Sequence, residues 1–363
     1  MTIINKIEFI IDHIDPLGQG VFKKDDQIYF IPKTLPGETG VAEVLKRKKG
    51  VHFCKVIELY KESVKRVTPS CPHYQACNGC HYQHTDYEHE IELKLASFQR
   101  MLAPIDTSAP IEAILAEDRT EYRNRIQLHY HKKAGVLGFK DSKNKIIDVR
   151  DCLISETIIQ KEVQKLYEDN KWMDLCPREI SGHVEVYNSP TGLKTIWNKS
   201  YASGGFTQVN KKMNEKMVNL LNLNLQETNI ESVLDLFGGT GNLSDKYPLC
   251  RSVVDIYSSE MPKEFTSLDL HSDHSLNEFI QKTDKTFDTF IIDPPRSGFP
   301  ALSQWSNHYK PKNIHYISCH PQTMIRDLRA LLAKNEYKID HIYLIDLFPN
   351  TFHFEAYISL SEC

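Results

Sequence analysis

The 363-residue sequence contains no apolar run that approaches the roughly 18 residues required for a membrane-spanning helix. It also contains no internal repeat and no low-complexity tract. The first eight residues, Met1 to Glu8, lack the charged segment, apolar core and small-residue cleavage site of a secretion signal. These absences predict a cytoplasmic protein, and the length predicts two or three domains of roughly 100–200 residues each.

A net positive charge is absent as well, because 44 Lys and Arg residues face 48 Asp and Glu residues and leave a net charge of −4. A surface for RNA would therefore have to be local. The first 66 residues contain one basic patch, whose members are Lys46, Arg47, Lys48, Lys49, Lys55, Lys61, Lys65 and Arg66. Such a patch is suited to phosphate contact, although a solvated hairpin tip explains it equally well.

Three segments of different character follow one another along the chain. Residues 1–61 alternate short β-type runs with Gly and Pro turns, a pattern that predicts a small β-barrel. Residues 62–203 begin with a polar, cysteine-rich loop and a helix, and continue as a central β-rich domain. Residues 204–363 alternate apolar strands with helices, which predicts an α/β, Rossmann-like domain with a doubly wound, mostly parallel sheet.

Nine cysteines at uneven spacing, without a secretion signal, indicate metal or catalytic chemistry rather than a disulfide scaffold. Cys71, Cys77 and Cys80 form a C-x5-C-x2-C pattern in the polar loop, and Cys152 is the best candidate for a fourth ligand. Four cysteines suit either a [4Fe–4S] cluster or a structural zinc ion. Zinc sites usually contain paired C-x2-C units, and the single such unit favours iron–sulfur over zinc, with unrelated free thiols as the third alternative.

Polar and glycine-rich motifs follow the apolar strands of the last segment. A glycine-rich loop, Asp235 to Gly241, follows one strand, and a rigid loop beginning Asp293-Pro294-Pro295-Arg296 follows another. Cys319 follows a third strand, and a thiol is well suited to attack an electron-poor carbon. Ligands in doubly wound sheets bind beyond the carboxyl ends of the strands, so these motifs predict one shared pocket. A tight turn and a buried structural thiol are the alternatives for the loop and for Cys319.

Several motifs occur together in an order that resembles a known family. They are Phe206-Thr207-Gln208-Val209-Asn210, Cys319-His320-Pro321 with Arg326-Asp327-Leu328, and the stretch from Phe348 to Glu355. The chain resembles, over nearly its whole length, the RNA uracil-C5 methyltransferases, which use S-adenosylmethionine to make 5-methyluridine. In this resemblance residues 1–61 correspond to the OB-like TRAM barrel, which binds RNA, and the four cysteines to the ligands of a [4Fe–4S] cluster.

The resemblance implies a role for each motif residue. Cys319 would add to C6 of uracil, and Glu355 would remove the C5 proton after methyl transfer, while Asp293 and Arg296 would hold the uracil edge. The implied residues of the S-adenosylmethionine site are Gln208, Asp235, Phe237, Gly239, Gly241, Asp255, Asp269 and Asp293. The target uridine is expected to be unstacked, and the TRAM-like segment favours 23S rRNA over tRNA.

One segment departs from the family pattern. Tyr257 occupies the place of an acidic residue for the cofactor's ribose, and the sequence up to Asp269 is too short for the usual following helix. Asp255 or Glu260 could substitute, and Asp269 could contact the adenine. A non-catalytic RNA-binding homologue is therefore the alternative from another class. A cytosine-C5 methyltransferase is disfavoured because Ser318, rather than proline, precedes Cys319.

Overall fold

The computed structural model describes residues 6–141, 143–203, 207–226, 230–248, 250–256 and 262–363. Within these ranges the chain forms three β-sheets with helices packed against them. None of the helices in the described ranges is both long and apolar enough to cross a membrane.

The first sheet has six strands in the order β1-β5-β6-β4-β3-β2. The strands are β1 (Lys6–Ile10), β2 (His13–Ile14), β3 (Gln19–Lys24), β4 (Gln27–Pro32), β5 (Thr39–Lys48) and β6 (Val51–Lys61). Alternate residues such as Phe9 and Ile31 point into a shared core, because successive side chains of a strand face opposite sides. The basic residues Lys46 to Lys49 lie exposed at the tip of the β5–β6 hairpin.

A cysteine-rich loop leads from the first sheet to helix α1 (Tyr87–Leu102) and strand β7 (Ile111–Ile114). Asp86 begins α1, since its carboxylate accepts a hydrogen bond from the backbone N–H of His89 at 2.8 Å. Although 62–203 was expected to form one central domain, residues 87–114 lie on the third sheet. The reason is apolar contact, because Phe98 and Leu102 of α1 belong to the core of that sheet.

The second sheet has five strands in the order β10-β9-β8-β11-β12. Its strands and helices are β8 (Arg125–His131), β9 (Val136–Lys140), β10 (Ile146–Ile147), α2 (Thr157–Tyr167), α3 (Trp172–Leu175), β11 (Ser181–Ser189) and β12 (Gly192–Trp197). Trp172 of α3 and Ile159 of α2 are buried against Leu128 and Val184 of the sheet. This β-rich unit stands between the first and third sheets in sequence and contributes one wall of the site described below.

The third sheet has eight strands in the order β15-β14-β13-β16-β17-β19-β18-β7. Its elements in chain order after the second sheet are α4 (Lys211–Gln226), β13 (Val233–Leu236), β14 (Arg251–Asp255), β15 (Phe265–Ser267), α5 (Ser275–Lys282), β16 (Thr289–Ile292), α6 (Leu302–Tyr309), β17 (Asn313–Ser318), α7 (Pro321–Leu332), β18 (Tyr337–Ile345) and β19 (Glu355–Glu362). The strands from β15 to β17 are parallel, which confirms the predicted Rossmann-like sheet. Strand β19 enters antiparallel between β17 and β18.

Candidate active site

The antiparallel strand β19 brings Cys319 and Glu355 together. Asn313 pairs with Ser361 and Ser318 pairs with Ala356, so the same register continued by one residue sets Cys319 opposite Glu355. Neighbouring strands lie about 4.8 Å apart, which makes the two residues cross-strand neighbours. The thiol and the carboxyl are separated by 36 positions in sequence and are adjacent only because of this strand order.

The surroundings of Cys319 combine burial with charges of both signs. Burial, together with the carboxyls of Glu355 and Asp293, raises the pKa of the half-buried Cys319 thiol to about 11. The guanidinium of Arg296 acts in the opposite direction, through its charge and through a hydrogen bond to the thiol. Removal from water and the charge of Asp293 also raise the pKa of the buried Glu355 carboxyl well above its ordinary value.

The glycine-rich loop follows β13 and is held by two carboxylates. Asp235 is fully buried, and its Oδ2 accepts a hydrogen bond of 2.5 Å from the hydroxyl of Ser244. Asp255, the last residue of β14, accepts hydrogen bonds from the backbone N–H of Gly239 at 3.0 Å and of Ile256 at 2.6 Å. A Cβ at Gly238 would lie 2.5 Å from the carboxyl carbon of Asp235, so the loop approaches this side chain closely only because residue 238 is glycine.

A cavity of about 1330 Å³ opens beside this loop, at the carboxyl edge of the parallel strands. Six of the eight residues predicted for the cofactor site line it: Gln208, Phe237, Gly239, Asp255, Asp269 and Asp293. Asp235 lies buried behind the loop, and Gly241 packs beside the guanidinium of Arg251. Phe206, Tyr257 and Glu260 fall outside the described residues, so the expected departure at Tyr257 has no structural description.

Three acidic side chains concentrate negative charge around the cavity. Removal from water, together with the charges of Asp235 and Asp255, raises the pKa of Asp293 to about 7. Burial likewise raises the pKa of Asp235 to about 7, and its Oδ1 has no hydrogen-bond partner in the described part of the chain. Carboxylates that repel one another in this way favour a ligand that carries positive charge.

The second sheet contributes cavity residues that sequence reasoning missed. Asn124 donates a hydrogen bond of 2.9 Å from its side chain to the carbonyl of Gln208, and its backbone N–H donates to the carbonyl of Val209 at 2.8 Å. Tyr201 lines the cavity from the same side. From the third-sheet region, His271 also lines the cavity, and its ring centre lies 5.4 Å from that of Phe237. No motif marks Asn124 or Tyr201 in the sequence, because their relation to the site depends on how the second sheet docks.

The four predicted metal ligands lie around a second cavity, of about 330 Å³. Cys71, Cys77, Cys80 and Cys152 all line it, together with apolar side chains such as Phe139 and Val149. Burial raises the pKa of Cys80 to about 12, and the neighbouring Cys152 acts in the same direction. Among the residues that the structure describes, no group of three or more His, Cys, Asp or Glu side chains converges closely enough to bind a single metal ion.

Taken together, the sheet order and the residues at its carboxyl edge define the class of the protein as a Rossmann-like methyltransferase. Comparison with known proteins narrows this class. The sequence profile of the tRNA (uracil-5-)-methyltransferase family matches residues 270–363. The chain is similar to the RNA uracil-C5 methyltransferases, and the predicted resemblance to this family and the predicted methyltransferase class are confirmed.

Curated relatives resemble the chain over nearly its full length. The 23S rRNA (uracil(1939)-C(5))-methyltransferase RlmD of Shewanella woodyi is 29% identical, with 97% of this chain and 95% of the relative covered. The protein of the same name from Shewanella frigidimarina is 26% identical, with the same coverage of both chains. The first alignment extends over 430 positions, more than the 363 residues present here, so the relative has segments without a counterpart in this chain.

One solved structure supports the fold. The crystal structure of the Pyrococcus abyssi tRNA (uracil-54, C5)-methyltransferase in complex with S-adenosyl-L-homocysteine superimposes with a TM-score of 0.71. The match covers 97% of this chain and 99% of that protein, at 21% sequence identity. The three-sheet architecture is therefore shared with that protein.

Proposed function

We propose that the protein methylates C5 of a uridine in RNA with S-adenosylmethionine as the methyl donor, through a covalent bond between Cys319 and C6 of the base. The observation that supports this proposal most strongly is the strand register that sets the Cys319 thiol opposite the Glu355 carboxyl. The reaction needs a protein nucleophile that attacks C6, because C5 of uracil is a poor nucleophile until then. It also needs a protein base that removes the C5 proton from the same ring.

The proposed reaction uses the two side chains in sequence. The Cys319 thiolate adds to C6, and the resulting electron-rich C5 takes the methyl group in line. Glu355 then accepts the proton from C5, the electrons of that bond form the C5–C6 double bond, and the C6–S bond breaks to return the thiolate. The raised pKa of Glu355 makes its carboxylate a stronger acceptor for the C5 proton.

The charge of the large cavity fits the proposed cofactor. S-adenosylmethionine carries a sulfonium and an ammonium group, and the cavity is lined by the acidic side chains of Asp255, Asp269 and Asp293. In this proposal Gln208, Phe237 and the backbone of the glycine-rich loop hold the cofactor, with Asp255 and Asp269 on the side of its ribose and adenine. The bound cofactor supplies the methyl group, while Asp293 and Arg296 border the uracil.

We also propose a [4Fe–4S] cluster with Cys71, Cys77, Cys80 and Cys152 as ligands. This proposal is supported by one cavity lined by all four sulfur-bearing side chains and by apolar residues. The ammonium group of Lys33 donates a hydrogen bond to the carbonyl of Cys77 at 3.4 Å and lies in the field of three of the thiols. A positive charge there would stabilise a ligand set that is negatively charged overall.

The proposed substrate is 23S rRNA, as named for the Shewanella relatives, and tRNA is the alternative, as named for the Pyrococcus structure. The TRAM-like barrel of residues 1–61 would contact phosphates through Lys46 to Lys49, which protrude from its hairpin tip. The proposed central and methyltransferase domains comprise residues 62–203 and 204–363, with α1 and β7 of the former packed on the sheet of the latter. A cytoplasmic location, where thiols remain reduced, belongs to the same proposal.

Methylation of RNA from a strain that lacks this protein tests the proposal. Purified protein is incubated with S-adenosylmethionine labelled in the methyl group and with separated 23S rRNA or tRNA, and the digested nucleosides are identified by mass spectrometry. We expect labelled 5-methyluridine in 23S rRNA. Labelled 5-methyluridine in tRNA alone would identify the alternative substrate. The absence of product from both RNAs, with a flat calorimetric titration against S-adenosylmethionine, would instead identify a non-catalytic RNA-binding protein.

A further inference from the structure

The loop of residues 346–354, which joins β18 to β19 and leads directly into Glu355, is held by an unusual set of donors. Four consecutive carbonyl groups of this loop accept hydrogen bonds from four separate segments of the chain. The pairs are Asn210 Nδ2 to Leu347 O at 3.1 Å, Lys94 Nζ to Phe348 O at 3.3 Å, Tyr122 Oη to Pro349 O at 2.9 Å, and the backbone N–H groups of His81 and Tyr82 to Asn350 O at 2.7 and 3.0 Å.

A buried charge network stands behind this loop. Lys94 of α1 is only 1% exposed, and its ammonium group donates to Glu90 at 2.8 Å and to Asp346 at 2.7 Å. Arg119 donates to the second oxygen of Glu90 at 2.7 Å, and Tyr87 donates to the second oxygen of Asp346 at 2.7 Å. The positive charges of Lys94 and Arg119 thus neutralise the negative charges of Glu90 and Asp346. Removing one of these side chains would leave another without its ion-pair partner.

Asn350 joins the network to the loop backbone. Its φ of +67° lies in the left-handed region, which Asn tolerates better than most residues. Its backbone N–H donates to Glu90 at 2.8 Å, and its side-chain amide donates to the carbonyl of Arg119 at 2.6 Å. The turn at Asn350 is therefore determined by α1 and Arg119 on one side and by the residues after Cys80 on the other.

We propose that Lys94, Glu90, Asp346 and Asn350 are positioning residues that hold Glu355 in place to resolve the covalent RNA adduct. This inference rests on the proposed function, because it concerns the base of that reaction. The loop has only a few residues between its held carbonyls and Glu355, so a displacement at Asn350 is transmitted to the start of β19. Cys319 lies at the end of β17 and is not connected to this network by the hydrogen bonds described above.

The chemistry separates a positioning role from a general structural one. Adduct formation and methyl transfer require Cys319 and the cofactor, whereas release requires transfer of the C5 proton to Glu355 and breakage of the C6–S bond. A displaced Glu355 therefore leaves a methylated uridine covalently bound to Cys319. A general loss of structure would instead lower adduct formation and turnover together.

The experiment compares Lys94→Met, Lys94→Arg and Tyr122→Phe with the unchanged protein and with Lys165→Met, which changes an exposed lysine of α2 that has no hydrogen bond to the network. The fraction of radiolabelled RNA that remains bound to protein in detergent gels is measured beside kcat and KM for 5-methyluridine formation. We expect Lys94→Met to lower kcat at least about tenfold, to leave the KM for RNA within about twofold, and to increase the bound methylated fraction at least about fivefold.

The other variants keep the inference testable if Lys94→Met does not fold. Tyr122→Phe removes one hydroxyl that donates to the loop, and we expect the same change in the bound fraction with a smaller amplitude; Lys94→Arg should restore part of kcat. A fall in kcat for Tyr122→Phe without any increase in the bound fraction overturns the positioning role while leaving the proposed function intact. Absence of 5-methyluridine from the unchanged protein would overturn both.

Discussion

The four cysteines proposed as cluster ligands and the single Cys319 are all partly buried, but different structural features determine their positions. Cys71, Cys77 and Cys80 lie in a loop without helix or strand, and Cys152 follows the short strand β10. Cys319 directly follows β17, whose last residue Ser318 pairs with Ala356 of β19. A strand end determines one side-chain position through backbone hydrogen bonds, whereas an irregular loop leaves its thiols to be organised by whatever they bind.

The charged neighbours of the four proposed cluster ligands also differ from those of Cys319. Lys33 faces the loop thiols, while Glu355 and Asp293 face Cys319 with only Arg296 in opposition. A positive neighbour suits thiolates that bind a metal group permanently. In the proposed reaction, the raised pKa of the Cys319 thiol makes its thiolate a stronger nucleophile once it forms. The difference teaches that burial alone does not distinguish the proposed metal ligands from the proposed nucleophile.

The largest expected effect comes from removing the proposed nucleophile. Cys319→Ala should lower 5-methyluridine formation more than about 1,000-fold, because the covalent route is lost. The melting temperature should change by only a few degrees, since the thiol is half-buried and the substitution removes a single atom. The matched control is Cys250→Ala, another half-buried cysteine of the third sheet region. Equal losses for both variants would show that the assay reports stability rather than chemistry.

Substitution of a proposed metal ligand should lower stability first, and activity only as a consequence. Cys80→Ala should abolish the iron measured by elemental analysis and lower the melting temperature by about 10 °C or more, because the binding energy of a metal group contributes to folding. Loss of activity should follow the loss of folded protein. The buried Cys176→Ala, in the core of the second sheet, serves as the control and should retain iron. Purified unchanged protein that holds one zinc ion and no iron would refute the cluster.

The smallest effect concerns the reactivity of the Cys319 thiol itself. With a pKa of about 11, its alkylation by iodoacetamide should accelerate about tenfold per pH unit from pH 7 to pH 10, because the thiolate reacts and its fraction grows below the pKa. Arg296→Met should slow the reaction about threefold to tenfold at pH 8, and Asp293→Asn should accelerate it by a similar factor.

Mass spectrometry of the Cys319 peptide measures these rates without RNA or cofactor. Cys363, which is exposed, provides an internal reference in the same digest. A rate at Cys319 that is already constant above pH 8 would contradict the raised pKa, and changes of equal sign in the two variants would contradict the assignment of opposite charges.

The parts of the fold that could be predicted are those with a strong local pattern. The apolar runs before Asp235, Asp293 and Cys319 predict the buried parallel strands, and the structure contains them within a few residues. Strand β19 was missed, because its apolar residues begin directly at the motif that ends in Glu355 and no turn signal separates them. The placement of α1 and β7 was missed as well. The periodicity of an amphipathic helix shows which face is apolar but not which sheet that face packs against.

The sequence by itself determined which chemical groups the protein possesses: a glycine-rich loop after a buried strand, a thiol at a strand end, and four cysteines at irregular spacing. These features are local, and residue type and spacing suffice to recognise them. The tertiary structure alone decided that Glu355 faces Cys319, that Asn124 holds the backbone of Gln208, and that Lys94 supports the loop before Glu355. The reason is that these contacts join distant segments, and strand order, register and docking depend on the burial of the whole chain rather than on any single stretch.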